Sequence, residues 1–512
     1  MRFFKKRNIF SKIKNYQKSL ITFFLSANLL IATGSGQLNI ATDSANLQRE
    51  SSSSASASPS ANPVPTPAIA AMTDDVLVSK NLPLSTKVDP SGQFFEDELS
   101  FVFKENVPDE TKRNILKENN LIIKRDLKKT KVKIVQVDPA KRDQVLANLQ
   151  SNPNIKYAQL SYGGRLHEGG GGGSPPGPNC SPNDPFYCAK MQWGLDLIHA
   201  ANGWAVSKGS SSVTVAVIDT GIAWNHLDLG LNNITPGGTA TGRVVRGMDV
   251  TQPDGFFNTS IDTDGHGTQV AGILGAKTNN AQNIAAVDWY AKLVAIKLLG
   301  PGGQMFNADL MAEAILEAID PSTLNHYPDY QSYTPPRAKV INISSGLCAD
   351  VRSVKDAVNQ ALAQGVIIVA AVNNSALDCL SPIPPQDPKD CFIGFPAAYP
   401  GVISVVGVDW NGKWAIGCMR YTKEGITYQP VQIAAPGQAI WTLTRGLIDT
   451  VLISGTSFAA PHVSGVASVL AGCVPGGSAS LIKRSLLNNA TYITDIPGVG
   501  FVSFASVLMS CS

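Results

Sequence analysis

Short, continuous apolar segments alternate with longer segments of helical periodicity through the C-terminal two thirds of the chain. The continuous segments are rich in β-branched residues and predict buried strands at Val213–Ile218, Val340–Ile343, Val366–Val369 and Val402–Val406. The periodic segments predict helices at Ala308–Ile319, Ser353–Gln364 and Ser457–Ala471. Apolar strands alternating with helices are typical of a parallel sheet covered on both faces. We therefore predict an α/β fold, a three-layer αβα domain with a mostly parallel sheet, for residues 180–512.

Residues 94–162 carry a second pattern with shorter elements. Strands are predicted at Leu99–Lys104, Leu121–Lys124, Val132–Val137 and Ile155–Leu160. Helices are predicted at Pro108–Asn119 and Pro139–Gln150. The order β-α-β-β-α-β predicts a small α+β (ferredoxin-like) module in front of the larger domain.

Three further segments separate these parts. Residues 1–32 join a basic start to the apolar stretch Leu20–Ala32, which predicts a signal peptide, with a retained anchor as the alternative. Residues 33–93 are rich in Ser, Ala and Pro and predict a low-complexity spacer. Residues 163–179 form a Gly/Pro linker in which we expect a processing site. No later apolar run reaches about 18 residues, so no membrane span is expected after signal removal.

The net charge of +3 hides an asymmetry. Residues 1–165 hold 24 Lys and Arg against 15 Asp and Glu, or +9, and residues 166–512 hold 18 against 24, or −6. Opposite charges are typical of two parts of one chain that bind each other, although the basic residues of an export signal explain part of the excess.

All eight cysteines follow residue 165. An even number behind an export signal favours disulfides. Short separation suggests the pairs Cys180/Cys188 and Cys379/Cys391, and the last two cysteines suggest the pair Cys473/Cys511, out of 105 pairings that eight cysteines allow. The absence of a C-x-x-C motif makes a zinc or thioredoxin-type site unexpected.

Ser457 has the setting of a nucleophile. It follows Gly455-Thr456 and precedes an apolar helix in which Pro461 is interpreted as a first-turn residue. The unpaired N–H groups of a helix start stabilise an oxyanion, although an ordinary N-cap serine has the same sequence appearance.

Two other residues supply what a serine nucleophile needs. Asp219 ends a predicted strand, and His266 stands between two glycines before a helix of small residues. A hydroxyl becomes nucleophilic when a histidine accepts its proton and a carboxylate orients that histidine. The sequence therefore predicts Asp219, His266 and Ser457 as one catalytic constellation.

The segments Asp219-Thr-Gly, Gly265-His-Gly-Thr and Gly455-Thr-Ser-x-Ala-Ala-Pro-His, in this order, resemble the subtilisin family of serine endopeptidases, the subtilases of peptidase family S8. Asn183–Tyr187, Gln192–Gly194 and Val340–Ser344 support the resemblance. It implies a secreted, self-processing zymogen that hydrolyses peptide bonds through an acyl-enzyme. The 94–162 module resembles the family's propeptide (inhibitor I9 type) and would be an intramolecular inhibitor. Protein or peptide substrates and a monomer are expected, and no nucleic-acid partner or organic cofactor.

The resemblance also implies further site residues. Asn373 matches the family's oxyanion asparagine by its place after a predicted strand. Six residues match the substrate-binding walls: Ser344, Ser345, Gly346, Ala371, Val372 and Gly394. Val372 stands where a glycine is usual, which predicts a narrow pocket for the P1 residue unless its side chain points away.

Asp184, Asp228 and Asn280 match positions that share a calcium ion in relatives, so a structural calcium is expected. Changes in Asn283–Ala286 leave the geometry of that loop open.

Two other functions remain possible from the sequence. One is a catalytically silent subtilase-fold protein that binds or inhibits. The other is a serine hydrolase such as an esterase, although Gly455–Ala459 lacks the last glycine of a G-x-S-x-G elbow.

Overall fold

The computed structural model describes residues 94–166, 170–171, 180–230, 242–252, 260–299, 305–320, 336–379, 387, 389–420, 422–423, 426–474, 476–492, 496 and 498–508. All of these residues belong to one unit of the chain, Met72–Ser512. The predicted signal peptide (1–32), the spacer (33–93) and most of the linker (163–179) lie outside the described residues.

The N-terminal module has the predicted β-α-β-β-α-β order. Its elements are β1 (Phe94–Phe103), α1 (Asp109–Glu118), β2 (Ile122–Asp126), β3 (Lys133–Gln136), α2 (Arg142–Ser151) and β4 (Ile155–Leu166). The strands form an antiparallel sheet in the order β4-β1-β3-β2. Apolar residues of the sheet and of both helices share one core that includes Leu99, Phe101, Ile115 and Leu149. Strand β4 continues six residues beyond the predicted end at Leu160.

The C-terminal part begins after the short strand β5 (Gly170–Gly171). Its helices are α3 (Pro185–Cys188), α4 (Trp193–Leu197), α5 (Ala200–Val206), α6 (His266–Gly275), α7 (Ala308–Ile319), α8 (Arg352–Ala363), α9 (Thr456–Cys473), α10 (Ala479–Asn488) and α11 (Phe504–Leu508). Its strands are β6 (Thr214–Asp219), β7 (Val244–Asp249), β8 (Lys292–Lys297), β9 (Met305–Asn307), β10 (Val340–Ile343), β11 (Ser345–Leu347), β12 (Ile367–Ala371), β13 (Ile403–Val408), β14 (Trp414–Ile416), β15 (Thr422–Lys423), β16 (Ile426–Thr427), β17 (Ile433–Pro436), β18 (Ile440–Leu443), β19 (Thr450–Ile453), β20 (Thr491–Tyr492) and β21 (Gly500–Phe501).

The central sheet confirms the predicted α/β fold. Its strand order is β20-β21-β17-β13-β12-β10-β6-β8-β7, and β20 and the side strand β14 are its antiparallel members. Alternate residues of β6 enter two separate cores: Val215 and Val217 pack with α6 and α9, and Ala216 and Ile218 pack with α7 and α8. Helices therefore cover both faces, which explains why the central strands are apolar throughout.

The N-terminal module docks on the C-terminal domain through buried polar contacts. The carboxylate of Asp309, at the start of α7, accepts hydrogen bonds from Ser100 of β1 and Ser353 of α8. Glu313 accepts from the backbone N–H of Lys129 and Thr130, each at 3.2 Å. Burial of this carboxyl raises the pKa of Asp309, although the hydrogen bonds from Ser100 and Ser353 oppose that effect. The module therefore covers the starts of two helices, α7 and α8.

The disulfides correct one of the predicted pairings. Cys180 pairs with Cys188 as predicted, but Cys379 pairs with Cys348 and Cys391 pairs with Cys418. The pair Cys379/Cys391 is therefore wrong, because tertiary contacts bring each of these cysteines to a more distant segment. Cys473 is also disulfide-bonded, and Cys511 lies outside the described residues.

Candidate active site

Asp219 and His266 meet at the carboxyl end of the central sheet. Asp219 is the last residue of β6, and His266 is the first residue of α6. Oδ1 of Asp219 lies 2.7 Å from Nδ1 of His266, and both side chains are fully buried. A Cβ at position 267 would lie 2.1 Å from the carbonyl oxygen of Gly221, so only glycine lets α6 start this close to β6. The geometry fits a carboxylate that orients an imidazole.

Asp262 links the two segments, and the sequence analysis did not single it out. One of its carboxylate oxygens accepts from Thr220 Oγ1 at 2.9 Å, and the other accepts from the Thr268 backbone N–H at 2.9 Å. Thr220 Oγ1 in turn accepts from the Gly267 backbone N–H at 2.8 Å. Burial raises the pKa of Asp262, although the hydrogen bonds from Thr268 and the loop oppose that effect. The one sequence feature that could have indicated this role is the position of Asp262, four residues before His266.

Ser457 is the second residue of α9, and Pro461 lies inside the helix rather than in its first turn. Pro461 has no N–H to donate to the Ser457 carbonyl one turn earlier. Ser344 Oγ donates to that carbonyl at 2.8 Å instead, and Asn342 Nδ2 donates to Ser344 Oγ at 2.9 Å. The helix therefore continues through the proline because a buried serine satisfies the carbonyl that Pro461 leaves without a partner.

The hydroxyl of Ser457 donates to the carbonyl oxygen of Ser344 at 2.8 Å. The ring of His266 lies 5.4 Å from the ring of Phe458, the residue after the serine. The structure thus brings β6, α6 and the start of α9 together, as the sequence predicted.

His462 lies on the same helix as Ser457 but has a structural role. Its Nδ1 is 2.8 Å from the Phe458 carbonyl oxygen, and burial lowers the pKa of His462 to about 4. The side chain is therefore neutral and tied to its own helix.

Asn373 does not have the geometry predicted for an oxyanion donor. Its Nδ2 donates to the Phe392 carbonyl oxygen at 3.0 Å and lies 3.0 Å from Cys379 Sγ. An asparagine amide has two hydrogens, and these two contacts use both. Oδ1 of Asn374, the next residue, accepts from the backbone N–H of Thr456 at 2.8 Å and from Thr456 Oγ1 at 2.9 Å. The carboxamide beside the nucleophile is therefore that of Asn374, which the sequence analysis missed.

Val372 also differs from its predicted place. Its methyl Cγ2 lies 2.9 Å from where a Cβ of Gly417 would stand, and Val372 belongs to the core on the α7 and α8 side of the sheet. The side chain that faces Gly394 is that of Asn373. The alternative considered for Val372, a side chain turned away from the pocket, is the one that the structure has.

The remaining wall residues surround a cleft that the N-terminal module fills. Strand β11 pairs with the end of β4 in an antiparallel register, with Ser345 opposite Leu166 and Gly346 opposite Arg165. Strand β9 pairs with the other edge of β4. Ser344, Ser345, Gly346 and Ala371 are all buried. Beyond the cleft, Gly170 pairs with Ile453, four residues before Ser457.

The three predicted calcium ligands form one hydrogen-bonded group. Asp184 Oδ1 accepts from the Asn280 backbone N–H at 3.2 Å, and Asp228 Oδ1 accepts from Asn280 Nδ2 at 2.7 Å. Burial raises the pKa of Asp184 to about 6 and that of Asp228 to about 7, and the Asp184 charge adds to the effect on Asp228. Within the described residues, neither carboxylate takes part in an ion pair.

Known proteins share this organisation. Residues 210–502 match the profile of the subtilase family (Peptidase S8), and residues 83–161 match that of the fervidolysin N-terminal prodomain. A thermophilic serine proteinase from Bacillus sp. (strain AK1) is 30% identical over 402 residues, which are 78% of this chain and 84% of that protein. Thermitase from Thermoactinomyces vulgaris is 32% identical over 61% of this chain and 93% of its own length.

The fold comparison agrees with the sequence comparison. The crystal structure of fervidolysin from Fervidobacterium pennivorans superimposes with a TM-score of 0.60 at 22% identity, over 84% of this chain and 65% of that chain. In the part of this chain that is described, no helix is long and apolar enough to cross a membrane. The subtilase profile covers more than half of the chain. The chain therefore belongs to the subtilase family of serine endopeptidases and carries a fervidolysin-type prodomain in front of its protease domain.

Proposed function

We propose that Asp219, His266 and Ser457 form the catalytic triad, and that the protease first cuts its own chain between Leu166 and Gly170. The strand pairing on either side of this segment supports the proposal. Strand β4 pairs with β11 and ends at Leu166, and Gly170 resumes pairing at β19, just before Ser457. The bond that we expect to be cut therefore lies between two backbone pairings, one with β11 and one with Ile453, four residues before Ser457. This position is narrower than the 163–179 linker that the sequence suggested.

The reaction needs one proton carrier and one nucleophile. Ser457 Oγ attacks the carbonyl carbon while its proton passes to Nε2 of His266, and Asp219 stabilises the resulting imidazolium through Nδ1–H. The peptide C–N bond then breaks, and the leaving amine takes the proton from His266. A water molecule attacks the acyl-enzyme ester, His266 accepts its proton, and the proton returns to Ser457 as the acid leaves.

Oxyanion stabilisation is assigned to Asn374 and the Ser457 backbone N–H. Thr456 holds the carboxamide oxygen of Asn374 by two hydrogen bonds, which fixes the attached Nδ2 beside the nucleophile. A donor that is fixed before the reaction stabilises the charge without reorganisation at that moment.

After the cut, the prodomain remains an inhibitor as long as β4 stays between β9 and β11. That position is the one an extended substrate needs, because the cleft walls bind backbone groups as strands do. Peptide or protein substrates would therefore bind only after the prodomain leaves. Secretion and a monomeric state complete the proposal; the sequence of residues 1–32 and the extracellular proteases among the relatives support export.

A calcium ion fits the group formed by Asp184, Asp228 and Asn280. Two buried carboxylates with no ion-pair partner among the described residues, joined to a side-chain amide, supply the oxygen ligands that calcium prefers. We propose that these three residues hold a structural calcium. The ion would neutralise the two carboxylates and take no part in the chemistry.

Calcium binding is expected to stabilise the Ser457→Ala protein more at pH 8 than at pH 5. Without calcium, both raised carboxyl pKa values mean that the folded state binds protons more tightly than the unfolded state. Stability therefore falls as the pH rises from about 4 through about 7. Calcium needs the ionised carboxylates, so its benefit grows over the same range. A free calcium concentration about 100 times Kd adds about 2.7 kcal/mol.

Melting curves in calcium and in chelator, at both pH values, measure this effect. Asp228→Asn should lose most of the calcium response, whereas Asp196→Asn, a carboxylate exposed on the surface beside Lys190, should keep it. Equal melting temperatures with and without calcium at pH 8 would contradict the site.

Labelling with a fluorophosphonate probe tests the catalytic assignment. The mature protein should be labelled on Ser457 alone, lose the label with His266→Ala, and digest casein faster than it hydrolyses a simple ester. An unlabelled but folded protein would favour the catalytically silent scaffold, and ester hydrolysis without casein digestion would favour an esterase.

A further inference from the structure

A side-chain amide fills the space between two walls of the substrate cleft. One wall is β11, and the other is the segment Phe392–Phe395. The backbones of Leu347 and Phe395 join the walls by two hydrogen bonds of 2.7 and 2.8 Å. Asn373 contacts Phe392 of the second wall and Cys379, which is bonded to Cys348 directly after β11, and a Cβ on Gly394 would lie 2.5 Å from its Oδ1. The side chain of Asn373 therefore occupies the volume that a glycine at position 373 would leave open.

Asn373 has little freedom to move out of this place. Its side chain donates to the Phe392 carbonyl oxygen, its backbone N–H donates to Ile393 at 3.3 Å, and its carbonyl accepts from Cys418 at 2.8 Å. Only 2% of the residue is exposed. Moving the amide would leave the buried Phe392 carbonyl without its donor, which disfavours such a movement.

Two disulfides make the surrounding walls rigid as well. Cys348 follows directly after β11 and is bonded to Cys379, whose sulfur contacts the Asn373 amide. Cys391 precedes Phe392 and is bonded to Cys418, whose N–H binds the Asn373 carbonyl. Both crosslinks therefore end on segments that hold Asn373, so the walls resist spreading to admit a larger group.

We propose that Asn373 determines specificity: it restricts the pocket for the P1 residue, whose carbonyl is attacked, to small side chains such as those of Gly, Ala and Ser. This inference rests on the proposed function, because it places P1 beside Ser457. The next residue, Asn374, binds the backbone directly before Ser457, so the space filled by Asn373 adjoins the reacting carbonyl. A phenyl or isobutyl group would need the volume of the amide. A methyl or hydroxymethyl group would not.

The experiment compares peptide substrates that differ only at P1, using the mature enzyme. The wild type should show kcat/KM at least about tenfold higher for Ala than for Phe or Leu. The basis is that one methylene group more or less in an enzyme pocket changes kcat/KM by a factor of about 10–200. Asn373→Gly should raise kcat/KM for Phe at least about tenfold and leave that for Ala within about threefold. Asn373→Ala should give an intermediate ratio. Val372→Ala is the matched control, because its side chain lies in the core, and should keep the wild-type ratio.

Two results would overturn the inference: a wild type that already prefers Phe over Ala, or a Phe/Ala ratio that Asn373→Gly and Asn373→Ala leave unchanged. The wild-type ratio of kcat/KM for Phe and Ala tests the inference even if a variant does not fold. Failure of the proposed function looks different, because no P1 residue would then be cleaved and the fluorophosphonate would not label Ser457.

Discussion

Ser457→Ala is expected to accumulate as an uncut chain in which prodomain and protease remain joined. The end of β4 pairs with β11, and Gly170 pairs with Ile453, four residues before Ser457, so we expect the chain's own serine to attack the bond between these pairings. Without the Ser457 oxygen no acyl-enzyme forms. In the family member subtilisin, removal of the serine nucleophile lowers kcat by about 2 × 10⁶. N-terminal sequencing of purified wild-type protein should place the new start after Leu166 and no later than Gly170. The Ser457→Ala protein should lack that start.

Ser212→Ala is the matched control, because Ser212 is an exposed serine of the same domain and should mature normally. Adding mature wild-type enzyme to Ser457→Ala distinguishes cutting in cis from cutting in trans, since a docked β4 should resist an added protease. If Ser457→Ala matures fully in a host without proteases, self-processing is wrong.

Asn374→Ala should reduce kcat by about 10²–10³ with little change in KM, the size of effect known for the oxyanion asparagine of subtilisin. The reason is that Asn374, anchored by Thr456, lies beside the developing negative charge, and the amide of Asn373 is used by Phe392 and Cys379. A loss confined to kcat is the sign of a group that acts in the transition state rather than in substrate binding.

Asn373→Ala is the control for this prediction, because the two asparagines are neighbours of the same type. It should keep kcat for a small-P1 substrate within about tenfold of the wild type. If Asn373→Ala instead lowers kcat by about 10²–10³ and Asn374→Ala does not, the assignment of the oxyanion donor is reversed. The sequence-based prediction of Asn373 then stands.

The one-residue difference between these assignments has a clear physical origin. The assignment of Asn373 took the strand to end at Ala371, where β12 does end, but the Val372 N–H still donates to the Val405 carbonyl at 3.2 Å and continues the pairing by one residue. Ile368, Ala370 and Val372 therefore share one face of the sheet and one core. The alternation of side chains along a strand was the signal that placed Val372 inside, and it moved the turn to Asn373 and Asn374.

The cysteine pairings illustrate a second limit. Sequence separation suggested Cys379/Cys391, but partners are chosen by which segments the fold brings together: Cys348 comes from the end of β11, and Cys418 follows β14. Spacing along the chain carries no information about such contacts unless the loop is short, as for Cys180 and Cys188.

The sequence alone determined the layered α/β fold, the two-part organisation and the family. It also supplied Asp219, His266 and Ser457 as candidates, because periodicity, glycine-framed motifs and strand ends are local properties. Only the tertiary structure showed which asparagine contacts Thr456, which side chain lies beside Gly394, and which strands pair with the chain up to Leu166 and from Gly170. These depend on distances between segments far apart in sequence, such as the pairing of Val372 with Val405, which places Val372 in the core and leaves Asn373 and Asn374 to the turn.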